Sequence, residues 1–273
     1  FPYTTLFRSN GEELEIALEG ISKYSPYYET VDDVVKAHPH KNFSWIRDRI
    51  KEGAFQIVRP ATLESALVQL HQDYEDAKYK YLAVDTETTG LDFTFRCFTG
   101  QGDKVVGFVL SAKPGTSYYF PVGHNKIENL CDGNIEVLIV KYLKPILEKW
   151  NVVAHNNEFD WMACYSHGIA LNTVMDTMVI LRKTLVAQEG TFPYNLKGAT
   201  EVLLKRDSPE LDDLCKNGEF NSTGYTFADL PEELVAFYAC PDADNTLSLM
   251  YWFIDSGLMD KYNAWRCCEN DSK

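Results

Sequence analysis

An apolar run that ends in two carboxylates constrains this chain more than any other sequence feature. Residues 81–84, Tyr-Leu-Ala-Val, have the composition of a short buried strand, and Asp85 and Glu87 follow them. Because side chains alternate along a strand, these two acids point to the same side. Two like charges repel each other, and burying either without a partner is costly. A hard divalent cation such as Mg²⁺ or Mn²⁺, which takes oxygen ligands, would relieve the repulsion.

Taken alone, residues 86–90 are equally compatible with a polar turn that binds nothing. A second segment of the same kind favours the metal site. The apolar residues 152–154 predict another strand, and the polar residues after it lead into a helical pattern with Asn156 as its N-cap. Asp160 then lies in the first helical turn, where the helix dipole favours a carboxylate. In isolation, a capping role would explain Asp160 equally well.

The third acidic segment lies in a long helix predicted over residues 232–253. Tyr238 and Asp242 are four residues apart, so a continuous helix places both on one face. Pro241 could kink this helix. Asp244 should point elsewhere, and we consider it the weaker ligand candidate.

These residues suit phosphodiester hydrolysis with two divalent cations. Two cations about 4 Å apart activate a water, brace the phosphate and neutralise the leaving oxygen. Four carboxylates from separate elements can hold such a pair, and a nearby Tyr hydroxyl can orient the attacking water.

The three acidic segments resemble the motifs of the DEDDy 3′→5′ exonucleases. The similarity is closest to the proofreading domain of family A DNA polymerases, of the DNA polymerase I type, and runs from about Phe55 to about Trp252. Three further matching segments are Tyr-Tyr-Phe-Pro-Val-Gly-His (118–124), Asp-Thr-Met (176–178) and Asn-Leu-Lys-Gly (195–198).

The resemblance implies a role for each acid. Asp85 should bridge both cations, Glu87 and Asp242 should complete the tightly held site, and Asp160 should support the second cation, largely through water. Tyr238, together with Glu87, should position the attacking water.

The resemblance also implies a substrate-binding set of Thr86, Leu91, Asn156 and Phe159. Leu91 matches an apolar residue that wedges against the terminal bases, and Asn156 matches one close to the bound nucleotides. Phe159 departs from the Tyr that bacterial relatives often carry, so one hydroxyl hydrogen bond to the substrate should be lost.

The alternation of strands and helices predicts an α/β fold, which the resemblance sharpens to the ribonuclease H-like three-layer fold with a mixed central sheet. Helices are expected over residues 62–74, 134–150, 160–167, 173–186 and 196–204. Residues 206–229 are rich in Asp, Ser, Gly and Asn, and we expect an exposed, inert loop there.

Net charge argues against strong autonomous binding to DNA. The chain has 26 Lys and Arg against 40 Asp and Glu, a net charge of −14. A domain that binds nucleic acid by neutralising phosphates should show a basic face. We therefore expect it to receive a single-stranded or frayed DNA 3′ end from a neighbouring basic domain, or to be an acidic piece that has lost that domain.

Four segments are predicted along the chain. Residues 1–9 read as the translation of a sequencing adaptor, 10–54 as a pre-exonuclease segment, 55–256 as the exonuclease domain, and 257–273 as a truncated linker to a covalently attached polymerase domain. Seven cysteines without Cys-x-x-Cys spacing, and no apolar run near the roughly 20 residues of a membrane span, predict a reduced, cytoplasmic protein of a bacterial or phage-infected cell.

Three other functions share these features. A ribonuclease D-like RNA exonuclease uses the same acids and Tyr, a silent scaffold domain would keep the fold without activity, and another two-metal nuclease could attack with a different polarity.

Overall fold

A six-stranded mixed sheet forms the middle of the molecule. The computed structural model describes residues 25–92, 102–186 and 191–267. Segment 1–9, the first part of segment 10–54 and the last residues of segment 257–273 thus lie outside the described residues. The strands are β1 (Phe55–Ile57), β2 (Leu82–Thr88), β3 (Val105–Ser111), β4 (Ser117–Pro121), β5 (Val152–Ala154) and β6 (Thr173–Asp176). Their order is β1-β4-β3-β2-β5-β6, with β3 antiparallel to β2 and β4 and the remaining pairs parallel.

Helices cover both faces of this sheet. They are α1 (Val31–Ala37), α2 (Ser44–Lys51), α3 (Leu63–Asp76), α4 (Ile135–Leu138), α5 (Lys144–Leu147), α6 (Asn157–Ser166), α7 (Thr177–Leu181), α8 (Leu196–Leu204), α9 (Glu232–Asp255) and α10 (Leu258–Lys261). Two π-helical turns, Ile139–Leu143 and Arg182–Val186, continue α4 and α7. Helix α9 packs on one face, and α3 to α6 pack on the other. This is the ribonuclease H-like α/β fold that was predicted.

Strand β2 lies in the centre of the sheet and sends its alternate residues into different layers. Leu82 and Val84 belong to the core beneath α3 to α6, whereas Ala83 belongs to the core beneath α9. Because of this alternation, Asp85 and Glu87 continue on the side of Ala83 and face α9.

The helix predicted over residues 173–186 is wrong in its first four residues. Residues 173–176 form β6, the edge strand that pairs with β5, and helical structure starts only at Thr177. The apolar residues there do not distinguish a short strand from a helix by spacing alone. The helix predicted over 134–150 is also shorter and is interrupted by a π-helical turn.

The loop at residues 206–229 is not the exposed insertion that was predicted. It contains three short 3₁₀ turns, Leu211–Leu214, Asn221–Thr223 and Phe227–Asp229. Leu214, Phe220 and Phe227 are buried in the core beneath α9. These few apolar residues anchor the loop in the core, whereas the prediction of an exposed loop rested on the polar residues that dominate its composition.

Residues 25–54 pack against α9 and the start of this loop. The Phe43 and Phe237 rings meet edge to face at 5.6 Å, and the Trp45 indole N–H donates to the carbonyl of Asp207 at 3.0 Å. Among the described residues, no helix has the length and apolar character needed to cross a membrane.

Candidate active site

Three elements deliver four carboxylates to one end of the sheet. Asp85 and Glu87 come from β2, Asp160 from the first turn of α6, and Asp242 from the middle of α9. The register of β2 against β3 places Asp85 opposite Val109 and Glu87 opposite Gly107. The carboxylates interact electrostatically with one another, so the structure brings together all four acids that the sequence singled out.

Burial raises the pKa of every one of these acids, and the charge of a nearby carboxylate adds to the effect at each. Loss of water is the largest cause at each, and it raises the pKa of Glu87 to about 8, of Asp160 to about 7 and of Asp242 to about 6. The pKa of Asp85 rises well above its usual range through burial and then through the charges of Asp160, Glu87 and Asp242. Without a counter-charge the site therefore holds protons at neutral pH.

Asp160 is buried and is held by its neighbour across the sheet end. One oxygen, Oδ1, accepts hydrogen bonds from the Thr86 backbone N–H at 2.9 Å and from the Thr86 hydroxyl at 2.7 Å. These bonds oppose the effect of burial on the pKa of Asp160. Thr86, which was assigned to substrate binding, thus also orients a carboxylate.

Asn156 lies at the N-cap position of α6, as predicted, but its side chain does not act as the cap. Asn156 adopts a left-handed backbone (φ 68°) and makes no side-chain cap bond. The carboxylate of Asp176 instead accepts hydrogen bonds from the backbone N–H groups of Asn156 and Asn157, at 3.2 and 2.9 Å. The cap of α6 thus comes from β6, a contact that no local sequence pattern reveals.

Two acids of α9 have different environments. Asp242 shares a helix face with Tyr238, and its Oδ1 is buried and has no hydrogen-bond partner among the residues that the structure describes. Asp244 is fully buried and accepts from the Gly115 backbone N–H and, at 3.1 Å, from Arg206 Nη1. Asp244 is therefore a structural residue, in agreement with its lower rank as a ligand. Pro241 does not end the helix between the two motif residues.

A cleft of about 370 Å³ reaches the acid cluster at Glu87. It contains Glu87 and Tyr238 together with three residues of the predicted substrate set, Thr86, Leu91 and Phe159. Leu91 is 84% exposed and lines the cleft, so its side chain is accessible to a substrate there. Asn156, the fourth member of that set, is not among the described residues that line the cleft.

The sequence interpretation missed two contributors to this site. The far wall of the cleft comes from the loop at 206–229, through Leu211, Phe220, Tyr225 and Phe227. Lys197, in the first turn of α8, interacts electrostatically with Asp242 and Glu87. The sequence did contain a signal for Lys197. A positive charge in the first turn of a helix is unfavourable next to the positive end of the helix dipole, so its presence there indicates an interaction outside the helix.

The donor set fits divalent cations. Four oxygen-donor side chains with raised pKa values, including the unpartnered Oδ1 of Asp242, are what hard cations bind. With the side chains as they stand, no three His, Cys, Asp or Glu groups in the described parts of the chain converge closely enough to hold one ion. In this arrangement Oδ1 of Asp160 accepts two hydrogen bonds from Thr86.

Comparison with known proteins identifies the family. The family described as 3′–5′ exonuclease matches residues 55–253. The chain belongs to this 3′–5′ exonuclease family. Its activity is accordingly the removal of nucleotides from a 3′ end.

Individual relatives of this exonuclease are distant. DNA polymerase I of Chloroflexus aurantiacus is 30% identical over 196 residues, which are 71% of this chain and 18% of that protein. DNA polymerase DpoZ of Vibrio phage phiVC8 is 28% identical over 201 residues, 68% of this chain and 29% of that protein. The chain thus spans less than a third of either relative. Among solved structures, Trypanosoma brucei RNase D in complex with RNA U12 matches with a TM-score of 0.49 and 14% identity, over 78% of this chain and 65% of that one.

Proposed function

We propose that this exonuclease uses two divalent cations to remove nucleoside 5′-monophosphates from the 3′ end of DNA, as the proofreading module of a DNA polymerase. The observation that carries the proposal is the electrostatic cluster of four carboxylates from β2, α6 and α9, one of which, Glu87, lines a cleft together with Tyr238 and the exposed Leu91.

The acids divide between two cation sites. Asp85 lies centrally, since it interacts with all three other carboxylates, and would contact both cations. Glu87 and Asp242 would complete the first site and Asp160 the second. When bound, the cations (Mg²⁺ or Mn²⁺) lower the pKa of the attacking water and stabilise charge on the leaving oxygen.

Tyr238 and Glu87 orient the attacking water. Burial, followed by the charges of Glu87 and Asp242, raises the pKa of the Tyr238 phenol well above its usual range. The phenol therefore stays protonated at neutral pH and donates a hydrogen bond, while Glu87, which a bound cation would ionise, accepts one. Together they hold the water in line with the scissile bond, and the apolar cleft wall receives the terminal base.

DNA is the favoured substrate because both relatives reported above are DNA polymerases. Attachment to a polymerase domain also accounts for the net charge of −14, since a basic neighbour would supply the phosphate contacts that this chain does not. RNA processing remains the competing function.

Digestion of matched DNA and RNA single strands tests the proposal. With a 5′ label, we expect a ladder that shortens from the 3′ end in Mg²⁺ or Mn²⁺, faster on DNA than on RNA. Asp85→Ala should abolish cleavage, whereas Asp255→Ala, which removes an exposed carboxylate of α9 that binds Lys78, should not.

Each alternative has its own result. Faster digestion of RNA would indicate the ribonuclease D-like function, and release of the 5′-labelled mononucleotide first would contradict the polarity. An intact wild-type chain that cleaves neither substrate would be a silent scaffold.

A further inference from the structure

We propose that Lys197 is a positioning residue for the exonuclease reaction, holding the Tyr238 ring and the Pro209–Glu210 segment of the cleft wall with one ammonium group. The inference rests on the function proposed above. It concerns a residue outside the four acids and the tyrosine, and three independent observations support it.

The first observation is the place of Lys197 in α8. The side chain of Asn195 caps this helix by accepting from the Gly198 N–H at 2.7 Å, which fixes Lys197 in the first turn. A positive charge there faces the positive end of the helix dipole and destabilises the helix locally. Lys197 is therefore present for a reason outside its own helix.

The second observation is its set of contacts. Lys197 Nζ lies 4.7 Å from the centroid of the Tyr238 ring, a cation–π contact, and its side chain is only 20% exposed. The same Nζ donates to the carbonyl of Pro209 at 2.6 Å and to Glu210 Oε2 at 2.8 Å. One ammonium thus connects α8, the motif tyrosine of α9 and the cleft wall.

The third observation is the charge around this ammonium. Asp242, Glu210 and Glu87 all act on it electrostatically, and Glu210, which is not among the predicted metal ligands, forms an ion pair with it at 2.8 Å. A cation on the ring face can fix the ring plane, and with it the direction of the phenolic O–H, without taking part in proton transfer.

The geometry also explains why the cleft wall is ordered at this point. The chain runs from Glu210 directly into the 3₁₀ turn Leu211–Leu214, and Leu211 lines the cleft. Releasing Pro209 and Glu210 from Lys197 would loosen the wall and the tyrosine together.

A double-mutant cycle tests the inference. In single-strand digestion, Lys197→Met should lower kcat about tenfold or more, because water orientation is lost, and the loosened wall should raise KM by a smaller factor. In a Tyr238→Phe background the same change should cost less than about twofold, since the group that Lys197 positions no longer acts. Lys197→Arg, which keeps the charge and can stack on the ring, should recover most of the rate.

Lys183→Met is the matched control. Lys183 is exposed, bonds to the carbonyl of Asn263 at 2.8 Å and should not affect kcat. An equal loss of rate in both tyrosine backgrounds would overturn the positioning role. A rise in KM with kcat unchanged would also overturn it, and would assign Lys197 to a substrate phosphate.

Hydrogen exchange on the metal-free protein gives a readout independent of catalysis. Lys197→Met should speed exchange of the amides of residues 210–214, and Lys183→Met should not. Unchanged exchange would contradict the tie to the cleft wall. If the wild type digests neither DNA nor RNA, the proposed function fails, while the exchange experiment still decides the contact.

Discussion

Asp160 is bound to Thr86 through one carboxylate oxygen, which accepts from both the backbone N–H and the hydroxyl of the threonine. The residue between the two motif acids of β2 thus holds the acid of α6. Because Thr86 lies in the centre of the sheet, the position of Asp160 depends on the strand that carries Asp85 and Glu87.

Removing the Thr86 hydroxyl should weaken the site without unfolding the protein. Thr86→Val keeps the shape and the backbone N–H bond but loses one bond to a charged group, worth about 1.5–3 kcal/mol. We expect kcat to fall about tenfold or more. We also expect a lower apparent affinity for the second cation, measured from the rate as a function of Mg²⁺ concentration. Thr86→Ser should retain wild-type kinetics, and equal rates for the Val and Ser variants would contradict this role.

The stability of the metal-free protein should fall as pH rises. Folding raises the pKa of Asp242, Asp160 and Glu87 from 3.8, 3.8 and 4.5 to about 6, 7 and 8. Between these two sets of values the folded state binds more protons than the unfolded state, so the free energy of unfolding decreases from about pH 4 to pH 8.

Because other groups also titrate, the difference between variants is the measurement. Thermal unfolding in EDTA at pH 5.5 and pH 8.5 should show a larger loss for the wild type than for Glu87→Gln, and saturating Mg²⁺ should remove most of the difference. A wild type that loses no more stability than Glu87→Gln would show that folding does not raise the pKa of Glu87.

Asp242 and Asp244 should respond in opposite ways to the same change. Asp242→Asn removes one charge from a repelling cluster, so the metal-free protein should keep or gain stability while activity is lost. Asp244→Asn breaks a buried ion pair with Arg206 and should cost about 1–3 kcal/mol, with activity retained below the melting temperature. Denaturant unfolding curves and digestion rates of both variants test these opposite effects on stability and activity. Loss of activity without loss of stability in Asp244→Asn would make it a ligand.

Leu91 should matter for paired ends more than for single strands. It is 84% exposed, so Leu91→Ala should change stability by less than about 0.5 kcal/mol. Loss of the apolar contact between this side chain and a base should cost about 1.4 kcal/mol, which is about tenfold in rate on a duplex 3′ end. The rate on a single strand should change little. Val68→Ala, 70% exposed on α3, is the control. Equal effects on both substrates would exclude the wedge.

The sequence by itself determined the fold class and which side chains come together at the candidate site. Strand alternation was sufficient to put Asp85 and Glu87 on one side, and helical spacing put Tyr238 and Asp242 on one face, because both are local consequences of backbone geometry. The order of strands and helices was sufficient for an α/β sheet with the acids at one end.

Only the tertiary structure decided which groups outside the motifs support them. Asp176 rather than Asn156 caps α6, Thr86 holds Asp160, and Lys197 reaches Tyr238 from another helix. It also placed Phe220 and Phe227 of a polar loop in the core. These contacts join residues far apart in the chain, and their free energy comes from burial and charge proximity, neither of which is encoded in the spacing of residues along the sequence.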